Sequence, residues 1–335
     1  MTEPLAQLRN VSKDYTVRLG GGRRAVVKAV DRVSVNLDPG ATLGLVGESG
    51  SGKSTTARLL LRLIDSTSGQ IYLDGADITW TRRSELRHLR RRMQLVFQDP
   101  ASSFDPHSTV EDSVGEGLRG KGYNRISRRA RINELMTMVR LSSSIGRRHP
   151  RELSGGQLQR AAIARALGAS PALIALDEPV SSLDVSSQVH ILDLLDELQE
   201  SLGLAYLLIS HDLTVVSAVS NSIAVMYLGR VVEIGPASRV YQAPRHPYTQ
   251  ALLSAAPTID PRTGSSDRIV LKGDLPSLLS PPSGCPFHTR CPRSIDRCSK
   301  QEPPVVTSED GVTVSCHLYE GPPEPFKDSL AGGSP

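Results

Sequence analysis

The chain has 335 residues, 39% of them apolar and 22% charged, the balance of a globular protein long enough for one or two cored domains. A net charge of +4 is too small to point to nucleic acid as a partner, and no apolar run reaches the roughly 18 residues that a membrane helix needs. Aromatic residues make up only 4%, so the core must be mostly aliphatic.

The opening segment, MTEPLAQLRN, lacks the basic-then-apolar pattern of a secretory leader, so the chain is expected to stay in the cytosol. ATLGLVG (41–47) predicts a buried strand, and STTARLLLRLI (54–64) predicts the helix that follows it. The arginine-rich RRSELRHLRRRMQ (82–94) predicts a solvated helix face or a contact to a neighbouring helical part, not a nucleic-acid site. MQLVFQ (93–98), ALIALDE (172–178) and AYLLISH (205–211) are near-continuous apolar runs, as expected of parallel strands covered on both faces. Strand signals vanish from about 101 to 165, where RISRRARINELMTMVRLS (125–142) has a helical pattern. SSQVHILDLLDELQESLG (186–203) predicts an amphipathic helix ending at Gly203. Together these give an α/β domain with a mainly parallel sheet and a helical insertion. Beyond residue 256 Pro, Gly and Ser become frequent and little regular structure is expected, with residues 321–335 disordered.

GESGSGKST (47–55) has the pattern of a phosphate-binding loop: Gly47, Glu48, Ser49, Gly50, Ser51, Gly52, Lys53, Ser54 and Thr55 lie between a strand and a helix. Glycines let successive N–H groups turn inward onto phosphate oxygens. Lys53 is expected at the β- and γ-phosphates and Ser54 on Mg²⁺. LIALDEP (173–179) delivers two carboxylates at a strand's carboxyl end, where open α/β sheets bind ligands. Asp177 is expected to hold Mg²⁺ and Glu178 to act as general base.

LSGGQLQRAAIARAL (153–167) resembles the signature of ABC ATPases. The resemblance implies a RecA-like P-loop NTPase core with a helical subdomain, working as a head-to-tail pair that sandwiches ATP. It implies that Leu153, Ser154, Gly155, Gly156 and Gln157 face the ATP of the partner subunit. It further implies that Tyr15 stacks on adenine, that Gln98 approaches Mg²⁺ and the attacking water, that Asp184 lies on a D-loop at the dimer interface, and that His211 contacts the γ-phosphate. Tyr15 read alone serves equally as a core residue.

Three further stretches, FQDPASSFDPHSTVEDSV (97–114), HPYTQALLSAAP (246–257) and the cysteine-bearing tail, resemble the oligopeptide/dipeptide import ATPases. This implies an ATPase domain over 1–257 and an importer-type C-terminal extension over 258–320. It also implies a second, identical or homologous ATPase subunit, two membrane permeases and an extracytoplasmic solute-binding protein, with this subunit peripheral on the cytoplasmic side of the membrane. Related importers carry nickel or other small solutes. ABC ATPases that act without a transporter, and a metal-dependent sensing module, are the other readings; the single compact cassette disfavours the former.

All four cysteines, Cys285, Cys291, Cys298 and Cys316, fall in the extension with the spacing C-x5-C-x6-C-x17-C. That spacing fits neither a zinc knuckle nor a ferredoxin run. Resemblance to the importers implies a [4Fe–4S] cluster; zinc and no metal remain as alternatives. His288 and His317 are near enough in sequence to be alternative ligands, but are expected on the surface.

Overall fold

The computed structural model describes residues 3–19, 22–255 and 269–319. The predicted tail 321–335 lies outside the described residues. The N-terminal hairpin of β1 (Ala6–Arg18) and β2 (Arg24–Leu37) precedes β3 (Thr42–Val46), which runs through residues 47–52 into α1 (Lys53–Leu60). With β4 (Ser68–Leu73) and β5 (Ala76–Asp77) the hairpin forms a four-stranded sheet, ordered β2-β1-β4-β5 and antiparallel throughout. It covers the core on one face only: in β2, Val33, Val35 and Leu37 are buried while Arg32, Ser34 and Asn36 are exposed.

α2 (Arg83–Arg92) leads into β6 (Met93–Val96), and then three helices follow without a strand: α3 (Val110–Val114), α4 (Arg125–Met138) and α5 (Gly155–Gly168). The described arginines of α2 divide between the antiparallel sheet and the helical part: Arg91 reaches the latter, its Nη2 2.9 Å from where a Cβ on Gly120 would stand. Arg92 pairs with Asp74, and Arg90 donates to the carbonyl of Arg62.

The chain returns to sheet with β7 (Leu173–Asp177), α6 (Val185–Leu202), β8 (Ala205–Ser210), α7 (Leu213–Val219), β9 (Ser222–Tyr227) and β10 (Arg230–Pro236). Two short helices, α8 (Ala237–Gln242) and α9 (Pro247–Ser254), and two short strands, β11 (Val305–Thr307) and β12 (Thr313–Ser315), complete it. The main sheet has eight strands in the order β11-β12-β10-β9-β3-β8-β7-β6. Its centre is parallel, with Val46 beside Ser210, Asp177 beside Ile209 and Val96 beside Leu176. Every residue of β3, β7 and β8 is buried, because side chains alternate between two covered faces. Leu43, Leu45, Ala175, Leu207 and Ile209 pack toward α1 and the hairpin. Val46, Leu176, Leu208 and Tyr227 pack toward the helical part and the extension. Each fully buried Leu, Ile or Val contributes about 1.5–3 kcal/mol.

Strand pairing, aromatic packing and ion pairs hold the extension to the cassette. β12 pairs antiparallel with β10, adding two strands to the main sheet. Phe287 is fully buried against Tyr227, Tyr248 and His246, with ring centroids 5.2, 5.4 and 5.6 Å away. Arg245 forks onto Asp310 at 2.9 and 3.0 Å, and Glu302 bridges Arg32 and Arg230, each at 2.8 Å. His317, expected on the surface, is buried instead, its Nε2 3.0 Å from the carbonyl of Gln301. The short 3₁₀ turn at residues 317–319 ends the described chain against the cassette, where the Tyr319 hydroxyl donates to the carbonyl of Arg245 at 2.9 Å. Little periodicity marks so short a turn in sequence.

Candidate active site

The parallel strands β3, β6, β7 and β8 all end at the same edge of the main sheet, and their following residues form one cleft. Residues 47–52 leave β3 in a tight curl that only glycine permits at two points. At Gly47 (φ 155°) a Cβ would stand 2.2 Å from the Met226 carbonyl, and at Gly52 (φ 103°) 2.5 Å from that of Ala29. No side chain caps α1 at Gly52. Its first-turn N–H groups therefore point into the curl together with the positive end of the helix dipole, an arrangement suited to an anion. Lys53 opens α1 and is buried, its Nζ donating to the carbonyls of Gly47 at 2.6 Å and Glu48 at 2.9 Å. Burial lowers the pKa of its ammonium, against the opposing pull of Glu178, Asp177 and Glu48. Ser49 and Gly50 are exposed, Ser51 is buried, and Ser54 and Thr55 lie half-buried on the first turn.

β7 carries Asp177 and Glu178 to this cleft. The Ser54 hydroxyl donates to Asp177 Oδ1 at 3.0 Å. Asp177 is buried, and burial raises its carboxyl above the usual range despite the Ser54 hydrogen bond. A buried carboxylate beside a hydroxyl is a pair of hard oxygen donors suited to Mg²⁺. Glu178 has a left-handed backbone (φ 47°), pinned by its N–H to the carbonyl of Ile209 at 3.0 Å. Strain of this kind costs about 1–3 kcal/mol in a residue with a side chain and turns its carboxylate out of the strand direction. Gln98, past the end of β6, donates through Nε2 to Glu178 Oε2 at 2.9 Å. His211, past the end of β8, stands with Nδ1 3.5 Å from the same oxygen and is largely exposed. Three side chains separated by 80 and 33 residues in the chain thus meet on one carboxylate oxygen.

Tyr15 lies on β1 with its ring 39% exposed, so it is not a core residue; the Lys13 ammonium lies 5.1 Å from the ring centroid. The signature stretch sits at the start of α5. Ser154 caps that helix, its hydroxyl accepting from Gln157 N–H and its own N–H donating to Gln157 Oε1 at 3.1 Å. Ser154 and Gly155 are exposed, and Leu153, Gly156 and Gln157 are half-buried. Asp184 caps α6, accepting from the Ser187 N–H at 2.9 Å and from the hydroxyls of Ser186 and Ser187 at 2.6 and 2.7 Å. These bonds hold its carboxyl well below the usual range. The two caps are neighbours: a Cβ on Gly155 would lie 3.1 Å from Leu183.

Sequence reasoning missed the link from the extension to this site. His246 caps α9, its Nδ1 accepting from the Tyr248 N–H at 3.1 Å, and Pro247 occupies the first helical position. That start aims the buried Tyr248 hydroxyl at the phosphate loop, where it accepts from the Glu48 N–H at 2.8 Å. Arg290 of the extension closes on the carboxylate of the same Glu48. The HPY triplet was legible in sequence, but its spatial partner was not.

The four cysteines are free, three of them buried and Cys291 half-buried. Burial pushes the Cys285 thiol up to about 11 and Cys316 up to about 12, and neighbouring cysteines add to both shifts. The thiols therefore lie within electrostatic reach of one another. Among the described residues no three or more His, Cys, Asp or Glu side chains stand close enough to hold a single metal ion. Nor is any helix of the described residues long and apolar enough to cross a membrane.

A strand–loop–helix phosphate cradle with paired acids on the next strand but one, a flanking glutamine and histidine, and a serine–glycine-capped helix defines an ATPase of the P-loop class, built on the ABC cassette fold. Residues 30–181 match the ABC transporter family, and residues 232–298 match the oligopeptide/dipeptide transporter C-terminal region. The chain belongs to the ABC transporter ATP-binding proteins, in the branch that carries this C-terminal region. It is 47% identical over 323 residues to a probable peptide ABC transporter ATP-binding protein of Sinorhizobium fredii, covering 95% of this chain and 91% of the relative. It is 46% identical over 322 residues to an oligopeptide transport ATP-binding protein of Bacillus subtilis, covering 95% and 98%. Among solved structures, it resembles the ATP-binding cassette MJ0796 in a dimeric post-hydrolysis state bound to ADP and phosphate. The TM-score is 0.62, with 31% identity, over 69% of this chain and 98% of that one. cbiO1 of Clostridium perfringens, part of an ABC transporter complex, gives 0.63 at 25% identity, over 72% and 92%.

Proposed function

We propose that this chain hydrolyses ATP to drive import of oligopeptides or dipeptides through a membrane transporter. The cassette spans residues 1–257, with a helical subdomain at about 101–165, and the extension spans 258–320. Its partners in this reading are a second ABC ATPase subunit, two transmembrane permeases and an extracytoplasmic solute-binding protein, the chain sitting on the cytoplasmic face of the membrane. The similarity over nearly the whole chain to peptide importers supports the cargo class.

The observation that carries the chemistry is the meeting of Gln98, Glu178 and His211 beside the phosphate loop. Tyr15 stacks on adenine, residues 47–55 cradle the triphosphate, and Lys53 exchanges its carbonyl partners for phosphate oxygens. Ser54, Asp177 and Gln98 would hold Mg²⁺, which when bound neutralises phosphate charge. Glu178 Oε2 takes the proton of a water attacking the γ-phosphorus, an effect worth about 10²–10⁴ in rate. Gln98 orients that water and His211 meets the γ-phosphate as charge develops. The partner's Leu153–Gln157 stretch closes over the γ-phosphate from the other side, with Asp184 at the seam.

The extension's Cys285, Cys291, Cys298 and Cys316 would hold a [4Fe–4S] cluster, which when bound crosslinks a proline-rich segment. Four mutually interacting thiols are the right donors. Zinc is the alternative that the same four thiols would serve. Protein purified without oxygen is expected to contain iron and inorganic sulfide; zinc-loaded, iron-free protein would refute the cluster.

The functional test is uptake of labelled peptide by the assembled transporter in proteoliposomes. Glu178→Gln is expected to keep ATP binding while lowering hydrolysis and uptake at least about 10²-fold. Normal turnover in that variant would remove Glu178 as the base, and uptake of nickel in place of peptide would overturn the cargo.

A further inference from the structure

Glu48 lies inside the phosphate loop, where a free carboxylate is unwelcome next to a triphosphate. The extension answers it. Arg290 Nη1 donates to Glu48 Oε2 at 2.8 Å and Nη2 to Oε1 at 3.1 Å, a two-pronged ion pair. The Arg290 side chain is 9% exposed and that of Glu48 28%, so solvent screens the pair only partly. Arg290 is fixed in turn by its surroundings: its N–H donates to the Phe287 carbonyl at 3.0 Å, and its guanidinium lies 6.0 Å from the Tyr227 ring centroid. The remaining polar groups of Glu48 are also held, the N–H by Tyr248 and the carbonyl by Lys53. Leu275 of the extension lies over the loop as well, 3.9 Å from where a Cβ on Gly50 would be.

We propose that Arg290 is a positioning residue for ATP: its pair with Glu48 fixes and neutralises the phosphate loop, so that the cysteine-bearing extension sets nucleotide affinity. The inference rests on reading residues 47–55 as the ATP site. A loop of glycines loses much freedom when it closes on a ligand, and anchoring Glu48 removes part of that cost before ATP arrives. The anchor acts on ground state and transition state alike, so its loss raises KM and leaves kcat nearly unchanged.

The test uses the full-length chain, measuring Kd for a fluorescent ATP analogue together with KM and kcat. Arg290→Ala is expected to raise Kd and KM about tenfold, with kcat within about twofold. Arg290→Lys keeps the charge but not the fork and is expected to raise them about threefold. The decisive variant is Arg290→Ala/Glu48→Gln. With the carboxylate neutralised it is expected to bind ATP more tightly than Arg290→Ala alone, a rescue that a purely structural arginine does not give. Wild-type Kd in Arg290→Ala, or a double variant no tighter than the single one, overturns the proposal. If Arg290→Ala does not fold, Arg290→Lys decides by the same rule: a raised Kd supports the proposal and a wild-type Kd overturns it. Lys53→Ala separates the two readings. Should it bind ATP normally, the loop is not the ATP site and both readings fall; should it lose binding while the Arg290 variants keep it, only this inference falls.

Discussion

His246 has nowhere to put a second proton. Its ring is buried, Nδ1 already accepts from the Tyr248 N–H, and Phe287 packs beside it. Burial drives its pKa from 6.5 down to about 3. The folded value is below the unfolded one, so this residue's contribution to stability is present above about pH 6.5 and is lost as pH falls toward 3. Each pH unit in that window costs about 1.4 kcal/mol, or about 2 kcal/mol between pH 6.5 and 5. Glu233, whose carboxylate accepts from the N–H groups of Arg245 and His246, works with the opposite sign. Burial raises its pKa, so protonating it at low pH relieves a cost. His246→Asn separates the two, because asparagine caps α9 without titrating. The variant is expected to be less stable at pH 7.5, having lost ring packing, but to lose less stability than the native chain on going to pH 5. Parallel pH curves in chemical denaturation would show that His246 is not the acid-sensitive group. The HPY triplet therefore serves a helix cap whose purpose is to aim Tyr248 at Glu48.

Strands covered on both faces were legible in the sequence, as were the amphipathic helices, and strands covered on one face were not. β3, β7 and β8 stand out as apolar runs because neither face meets water. The candidate catalytic positions at their ends came with them: Asp177 closes β7, Glu178 and His211 stand one residue past β7 and β8, and Lys53 follows β3 across the loop. β2 went unread because its signal is alternation, as in the buried Val33, Val35 and Leu37, and that pattern competes with polar residues at every second position. β12 has one buried residue, Val314, too little for any periodicity, and it exists because β10 offers an unpaired edge. Likewise, no local pattern announces that Phe287 leaves a proline-rich segment for the main core. Its burial makes a prediction at this scale. Phe287→Ala is expected to destabilise the protein by about 3–5 kcal/mol, whereas Phe287→Leu, which keeps most of the volume, should cost less than about 1.5 kcal/mol. Denaturant midpoints at constant slope measure both. Equal, small effects would mean that the extension is held by its ion pairs and β12, not by this ring.

At the scale of the whole molecule, the proposed pair gives one chain two helix starts that would serve different nucleotides. In that reading the start of α1 closes the phosphate loop of its own ATP. The start of α5 exposes Ser154 and Gly155 at a capped N-terminus, free to meet an anion from outside the chain. In the proposed pair that anion is the partner's γ-phosphate. ATP then acts as the adhesive, and hydrolysis removes it. This makes an asymmetric prediction for the purified chain. Glu178→Gln, which binds ATP without consuming it, is expected to sediment as a dimer with ATP and as a monomer with ADP. Adding Ser154→Arg to that variant places a bulky side chain on the exposed helix start. Dimerisation should disappear, while each monomer still binds ATP through its own phosphate loop with affinity reduced only by the loss of the partner's contacts. If the double variant still dimerises with ATP, residues 153–157 do not face the partner's nucleotide, and the two helix starts must be explained within a single chain.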